Sequence, residues 1–250
     1  MKGLLVINAD DFGMSPEVNA GILSGLHKGV ISDSSLLVKA GYAEPAVEGL
    51  KDLGIEHAGI HINLDDLFGW RPGGIELHPR AMLMGMLEDE GFLSVCAREA
   101  RDQIEHFLKF NLIPTHLDTH HHVHGLAPIF DVLIRLMDEF NLPAIRFSGQ
   151  GYHLPTRIDI PYDPDTYLRM ENILKNKGIF YCKSYLENAR NISQVGTGVT
   201  ELVVHPSISG ETWRSEELEL LLSGDGAVSL QQKGIKLISY HDLLLECLDS

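Results

Sequence analysis

The sequence contains few of the residues that mark several classes of protein. It has three cysteines, Cys96, Cys182 and Cys247, far apart in the chain. Their wide spacing and odd number favour buried thiols in a reducing cytoplasm over a disulfide framework or a thiolate metal site. No apolar run approaches the roughly 20 residues that a membrane-spanning helix needs, so no membrane contact is expected. The short apolar stretch at the N-terminus lacks a cleavage site, so no signal peptide is predicted.

Basic residues are also scarce, whereas histidine is abundant. There are 20 Lys and Arg against 35 Asp and Glu, a formal net charge of −15. An acidic surface repels phosphate backbones, so nucleic acid is not an expected partner. The chain has 13 histidines, and five of them lie between His116 and His124. Clustered imidazoles and carboxylates predict a divalent cation as a partner.

Strand-like and helix-like patterns alternate along the whole chain. Strands are predicted at residues 4–9, 34–38, 58–64, 115–120, 144–147, 179–182, 202–205 and 237–239. The first predicted helix is capped by Ser15 and ended by Gly29, and others are predicted at residues 44–53, 94–110, 128–140, 163–175, 216–222 and 241–248. This alternation favours an α/β fold, a single irregular TIM-like (β/α) barrel, in one domain over residues 1–250. A doubly wound nucleotide-binding sheet is less favoured, because no Gly-x-Gly-x-x-Gly turn follows the first strand.

Two aspartates, Asp10 and Asp11, directly follow the first predicted strand. Adjacent ionised carboxylates repel one another, so burying both requires a cation, a shared proton or solvent. Barrel enzymes carry their chemistry at the carboxyl ends of the strands. One aspartate would then bind a metal while the other holds the attacking water. By itself, such a pair is more often a turn or a helix cap.

Histidines follow two other predicted strands. Strand alternation places His61 on the face opposite Ile60 and Ile62, so it should point into the barrel. If the fourth strand continues far enough, one of its faces carries His116, Asp118, His120, His122 and His124. A carboxylate and two or more histidines from three strand ends can hold a divalent ion and leave positions for water and substrate. The alternatives are a hydrogen-bonded core histidine for His61, and a surface metal scavenger or hydrogen-bonded loop for the cluster.

Four blocks of sequence resemble one known family in order and spacing. They are Asn8-Ala9-Asp10-Asp11-Phe12-Gly13, Gly59-Ile60-His61, Thr115 through His124, and Val204-His205-Pro206. The family is that of the YdjC-like carbohydrate deacetylases, chitooligosaccharide (diacetylchitobiose) deacetylases included. The resemblance covers essentially the whole chain. It implies a distorted (β/α) barrel related to polysaccharide deacetylases and a bound divalent metal, commonly magnesium, with zinc, manganese and cobalt as alternatives.

The resemblance also implies a role for each matching residue. The metal ligands would be Asp11, His61 and His120, the general base Asp10 and the general acid His205. Arg146 would orient Asp10 or the substrate, His124 would replace or supplement His120, and His122 would support a ligand. The implied reaction removes an acetyl group from a small N-acetylated sugar such as diacetylchitobiose, releasing acetate and a free amine.

Rival functions remain open at this point. Another barrel metallohydrolase, an amidohydrolase or a phosphoesterase, often begins with His-x-His where this chain has Asp10-Asp11. A non-catalytic sugar- or metal-binding relative would not require Asp10 and His205. Residues 65–93 and 149–164 follow no recognisable family pattern, so the sequence does not identify the sugar substrate. Phe68 and Trp70, in the first of these segments, either stack on the sugar or support a loop. The sequence leaves the oligomeric state open, a homo-oligomer included.

Overall fold

The computed structural model describes residues 3–69, 80–148 and 163–248, with seven strands in one sheet. The strands are β1 (Gly3–Phe12), β2 (Asp33–Leu36), β3 (His57–Ile62), β4 (Ile113–Thr119), β5 (Ser184–Glu187), β6 (Gly198–Val204) and β7 (Lys236–Leu237). The α-helices are α1 (Pro16–His27), α2 (Ala43–Asp52), α3 (Arg80–Glu88), α4 (Glu90–Lys109), α5 (Ala127–Phe140), α6 (Pro164–Lys177), α7 (Thr212–Leu222), α8 (Asp225–Gln232) and α9 (Tyr240–Leu248). Two 3-10 segments cover His120–Gly125 and Ala189–Gln194.

Local sequence signals explain where several helices begin. The Ser15 side chain accepts a hydrogen bond from the Val18 N–H, and Pro16 occupies the first position of α1. Asp163 and Pro164 form the same kind of start for α6. A capping oxygen satisfies a free N–H group, and proline has no N–H to lose at that position. The start of α1 therefore agrees with the sequence prediction.

All strand pairings in the sheet are parallel. The order is β4-β3-β2-β1-β6-β5, and β7 pairs with the beginning of β1. Two single parallel bridges, Leu117 with Ile145 and Ala144 with Phe180, extend the sheet beyond β4. A parallel sheet with connecting helices confirms the predicted α/β class.

The sheet curves back on itself into an irregular barrel. Phe180 lies at one end of the path of paired strands, and β5 at the other end begins at Ser184. A stretch of four residues spans at most about 14 Å, so both edges lie close together. Arg146, beside β4, accordingly reaches Asp10 on β1 and Glu201 on β6 across the interior.

The interior changes from apolar to polar along the barrel. An apolar cluster joins Val6, Ala144, Cys182 and Ile238, which belong to distant parts of the sheet. Towards the carboxyl ends of the strands, the interior carries charged side chains and the predicted site residues. A larger apolar cluster fills the space between the sheet and the helices. This layering leaves the carboxyl ends of the strands for chemistry, as in other barrels.

Several predicted elements were wrong. Residues 144–147 and 179–182 form single bridges instead of strands. β5, α3 and α8 were not predicted, and α4 begins four residues earlier than expected. The sequence of β5, Ser-Tyr-Leu-Glu, has only one aliphatic residue, so its pairing with β6 decides its conformation. The prediction of a single domain stays a prediction. Among the helices in the described ranges, none is long and apolar enough to cross a membrane.

Gly59 offers a direct test of the packing inside the barrel. A Cβ atom at this position would lie 2.3 Å from Cε1 of the His116 ring. That ring cannot move away easily, because it stacks on Tyr240 with 4.0 Å between ring centroids. We expect Gly59→Ala to lower the free energy of unfolding by about 1–3 kcal/mol, measured by thermal and urea unfolding. Gly85→Ala is the control, because no atom lies within 4 Å of its Cβ position. Equal stability of the two variants would contradict this packing.

Candidate active site

The two aspartates at the end of β1 both face the mouth of the barrel. Asp11 has a φ of 66°, in the left-handed region that few residues other than glycine adopt. The register between β1 and β2 shifts between Ala9 and Phe12. As a result, Asp10 and Asp11 are neighbours that are both buried on the same side, instead of pointing to opposite faces of a regular strand.

His61 lies between three carboxylates. Its Nδ1 is 2.7 Å from Asp118 Oδ1, and its Nε2 is 3.5 Å from Asp11 Oδ1 and 3.9 Å from Asp10 Oδ2. Burial by itself would lower the pKa of His61, but Asp118 and Asp10 outweigh it and raise this pKa to about 10. Both His61 Nε2 and Asp11 Oδ1 are buried, and the contacts that face them come from ionisable groups of the same cluster. These atoms attract either a proton or a cation.

His120 approaches the same carboxylate from the end of β4. Its Nδ1 is 2.9 Å from Asp11 Oδ1, and its Nε2 is 3.7 Å from Asp65 Oδ2. β4 ends at Thr119, and the chain turns into the 3-10 segment with His121 and His122 in left-handed conformations, φ 56° and 53°. The predicted alternating face therefore does not extend beyond Asp118. Backbone strain of this kind concentrates at functional sites.

The other histidines of the cluster have different surroundings. His121 Nδ1 is 2.9 Å from Asp65 Oδ1. The phenolic oxygen of Tyr185, on β5, is 3.3 Å from His122 Nε2. His124 Nδ1 is 2.6 Å from Thr119 Oγ1, and burial lowers the pKa of His124 to about 3. His124 lies outside each group of clustered ligand atoms found in the described ranges. Its contacts instead stabilise the turn after β4.

Asp10 is held rigidly by Arg146. The guanidinium donates to both Asp10 oxygens, at 2.8 and 2.7 Å, and Asn8 Nδ2 donates to Oδ1 at 2.8 Å. Burial would raise the pKa of Asp10, but Arg146 and then His61 outweigh it, and the pKa is lowered. Arg146 is fully buried, so of its two predicted roles its contacts favour orienting Asp10 over binding substrate.

His205 follows β6 directly and faces Asp10. Its Nε2 is 3.9 Å from Asp10 Oδ2, and its backbone N–H donates to Glu217 Oε2 at 2.7 Å. Burial lowers the pKa of His205, and the charges of Asp10 and Asp11 offset this only in part. The imidazole is therefore held neutral, with Nε2 directed at the same space as Asp10 Oδ2.

The side chains around Asp11 fit a divalent cation. Ligand atoms of Asp11, His61 and His120 all lie within 4.8 Å of one another. Asp10, Asp118 and Glu201 contact Arg146, and Asp11 contacts Arg214. With His61 and His120 neutral, as metal ligation requires, these four carboxylates and two guanidinium groups leave an excess of two negative charges. A divalent ion held by Asp11 would balance that excess, and His61 Nε2 and Asp11 Oδ1 would become its ligands.

Comparison with known proteins identifies the family. A family model described as YdjC-like protein matches residues 4–232. The chain belongs to the YdjC-like family. The family resemblance inferred from the sequence motifs is thus confirmed.

Two curated relatives and one solved structure match nearly the full chain. A carbohydrate deacetylase from Clostridium beijerinckii is 28% identical, covering 96% of this chain and 99% of its own. A carbohydrate deacetylase from Geobacillus stearothermophilus is 30% identical, covering 97% of this chain and 98% of its own. A crystal structure from Enterococcus faecalis, named for a proposed cleavage of cellobiose phosphate, has a TM-score of 0.70 and 23% identity. It covers 97% of this chain and 99% of its own, and supports the fold alone.

Sequence reasoning missed several residues of this YdjC-like site. The sequence predicts Asp118 on the inward face without a specific role, although it lies two residues before His120 within a family motif. Arg214 donates to Asp11 Oδ2 at 2.6 Å, and Glu217 accepts from the His205 backbone. Arg214 is 203 residues away from Asp11 in the chain, so no local pattern could have indicated this pair.

Asp65 is predicted to set the orientation of His120. A histidine that ligates a metal almost always directs its second ring nitrogen at a carboxylate, a backbone carbonyl or a water, and Asp65 Oδ2 lies 3.7 Å from His120 Nε2. We expect Asp65→Asn to weaken binding of Zn²⁺ or Mn²⁺ by about tenfold, within the range typical of such partners. Calorimetric titration measures the affinity. The control is Asp66→Asn, which removes the same charge from the exposed neighbouring position. Equal metal affinity of the two variants would exclude this role.

Proposed function

We propose that this YdjC-like chain is a metal-dependent hydrolase that removes the acetyl group from N-acetylated sugars such as diacetylchitobiose. The observation that carries the proposal is the joint placement of the Asp11–His61–His120 ligand set, with Asp11 and His61 buried, and the Asp10–His205 pair at one mouth of the barrel. The two relatives named as carbohydrate deacetylases support the reaction class.

Asp11, His61 and His120 would hold the cation. A divalent ion there would acidify water and polarise the acetyl carbonyl. Imidazole ligands suit zinc, and carboxylates suit magnesium and manganese. Magnesium is part of the proposal through the family resemblance, and zinc, manganese and cobalt are the alternatives. Asp118 on His61, and Arg214 on Asp11, would keep these ligands oriented.

Asp10 would accept the proton of the attacking water. Arg146 donates to both of its oxygens and Asn8 to Oδ1, while Oδ2 also lies 3.9 Å from both His61 and His205. Arg146 keeps the carboxylate ionised and also makes it a weak base, because the pKa of Asp10 is lowered. The proton would therefore not remain on Asp10.

His205 would pass the proton to the leaving amine. It is neutral at rest, because burial lowers its pKa, and its Nε2 lies 3.9 Å from Asp10 Oδ2. One water molecule can bridge that distance. A neutral imidazole beside a weak carboxylate base can accept the proton from it, and then donate it to the nitrogen as the C–N bond breaks. The products are acetate and a free amino sugar.

The two rival functions explain fewer of the features of the site than the proposed deacetylase does. A sugar- or metal-binding protein requires neither a buried carboxylate held by Arg146 nor a histidine facing it. An amidohydrolase or phosphoesterase would share the metal ligands, so only the reaction itself separates it from a deacetylase. A reducing cytoplasmic location fits the free thiols of Cys96 and Cys182.

The first test is acetate release from diacetylchitobiose and a panel of N-acetylated amino sugars. We expect release that stops with a chelator and returns with Mg²⁺, Zn²⁺, Mn²⁺ or Co²⁺, since the ligand set accepts each of these ions. A generic aryl phosphate is assayed in parallel. Cleavage of the phosphate ester without acetate release would establish a phosphoesterase. Sugar binding without release under any metal would establish a binding protein.

Asp10→Asn tests the assignment of the base. The amide preserves the shape of the side chain but cannot accept the proton, so we expect acetate release to fall by about 10²–10⁴-fold. Metal affinity should change little, because Asp11, His61 and His120 are retained. Acetate release and calorimetric metal titration are measured on the same preparation, with Asp66→Asn as the control. Release at the wild-type rate would show that Asp10 is not the base.

A further inference from the structure

Trp213 is an exposed aromatic residue beside the proposed general acid. It lies in the first turn of α7 and is 43% exposed. Among the described residues, the exposed large hydrophobic side chains include just two aromatic ones, Tyr42 and Trp213. The sequence predicts that Phe68 and Trp70 either stack on the sugar or support a loop. Phe68 is fully buried against Phe92, which fits the structural alternative, and Trp70 lies outside the described residues.

Two contacts fix the Trp213 ring at the mouth of the barrel. The Arg214 guanidinium carbon lies 4.5 Å from the ring centroid, and Arg214 itself is anchored to Asp11. The His205 ring meets the Trp213 ring edge-on, with 5.6 Å between centroids. Arg214 lies over one face of the indole, and 43% of the residue remains exposed with both contacts in place. A pre-oriented aromatic surface loses little side-chain entropy when it binds a ligand.

The position of His205 determines where the sugar must lie. If His205 protonates the leaving amine, the amine nitrogen must come within hydrogen-bond reach of Nε2. That nitrogen is attached directly to the sugar ring, so the ring itself lies close to the imidazole. The Trp213 ring lies beside that imidazole, with 5.6 Å between ring centroids. This step rests on the proposed function, because it takes His205 as the acid.

We propose that Trp213 is the stacking surface for the pyranose ring that carries the acetylated amine. A pyranose exposes C–H groups on its faces, and these pack against an aromatic face while its hydroxyl groups stay in water. Stacking there would place the acetamide over Asp10 and the metal ligands. Trp213 thus favours cyclic amino sugars as substrates. Non-cyclic acetamides have no ring to stack on the indole and gain no binding affinity from it.

A solely structural role is the alternative to be excluded. Trp213 could serve only to shield Arg214, and its loss would then disturb Asp11 and metal binding. Fluorescence separates these roles, because the chain has two tryptophans. In a Trp70→Phe variant the emission belongs to Trp213 alone. We expect diacetylchitobiose to change this emission in chelator-treated protein, where no turnover occurs. Emission that stays constant at saturating sugar would overturn the proposal.

Affinity supplies the second measurement. We expect Trp213→Ala to weaken calorimetric binding of diacetylchitobiose to chelator-treated protein by about tenfold and to raise the KM for acetate release, with kcat changed little. Trp213→Phe should restore binding to within about threefold, because it keeps an aromatic face. Leu220→Ala is the control, since Leu220 is 40% exposed on the same helix two turns further from His205.

The outcomes distinguish this proposal from the proposed function. Equal sugar affinity of Trp213→Ala and wild type would overturn the stacking role, even if acetate is released normally. Sugar binding that depends on Trp213, without acetate release, would instead refute the proposed deacetylase function and support the sugar-binding role of Trp213. If Trp213→Ala fails to fold, Trp213→Leu replaces it, and binding as tight as that of wild type would count against stacking.

Discussion

The buried ion cluster around Arg146 is the interaction on which the rest of the structure depends. One guanidinium joins Asp10 on β1, Asp118 on β4 and Glu201 on β6, with no exposure to solvent. An unpaired charge in that position would cost several kcal/mol, so each partner must be held in place. The cluster therefore ties distant strands of the sheet together and also fixes the proposed base and the carboxylate that orients His61. The contacts that hold the barrel closed therefore also align the side chains of the site.

Helix α7 complements this cluster from outside the sheet. Arg214 and Glu217 are one turn apart, and they hold Asp11 and the backbone of His205 respectively. α1 packs close to the loop between β6 and α7, because a Cβ atom at Gly21 would lie 2.8 Å from Ser207 Cα. The proposed metal ligand, the proposed acid and the Trp213 ring are thus positioned by a single helix and its preceding loop. A shift of α7 would disturb all three together.

Three residues at the mouth hold left-handed conformations that only the tertiary structure can sustain. Asp11, His121 and His122 all have positive φ, at a cost of about 1 kcal/mol or more each. In each case the backbone directs a polar side chain towards another residue of the site or of its rim.

Sequence alone determined the alternation of strands and helices, the α/β class, and the candidate residues at the strand ends, because these follow from local periodicity and motifs. It also indicated the YdjC-like family. Only the tertiary structure decided that β4 ends at Thr119, that β5 exists, and that Phe68 belongs to the core. It alone paired Arg146 with three carboxylates, and Arg214 with Asp11. Such contacts join residues up to 203 positions apart, and no local pattern encodes them. They arise when the sheet closes and buried charges must find partners.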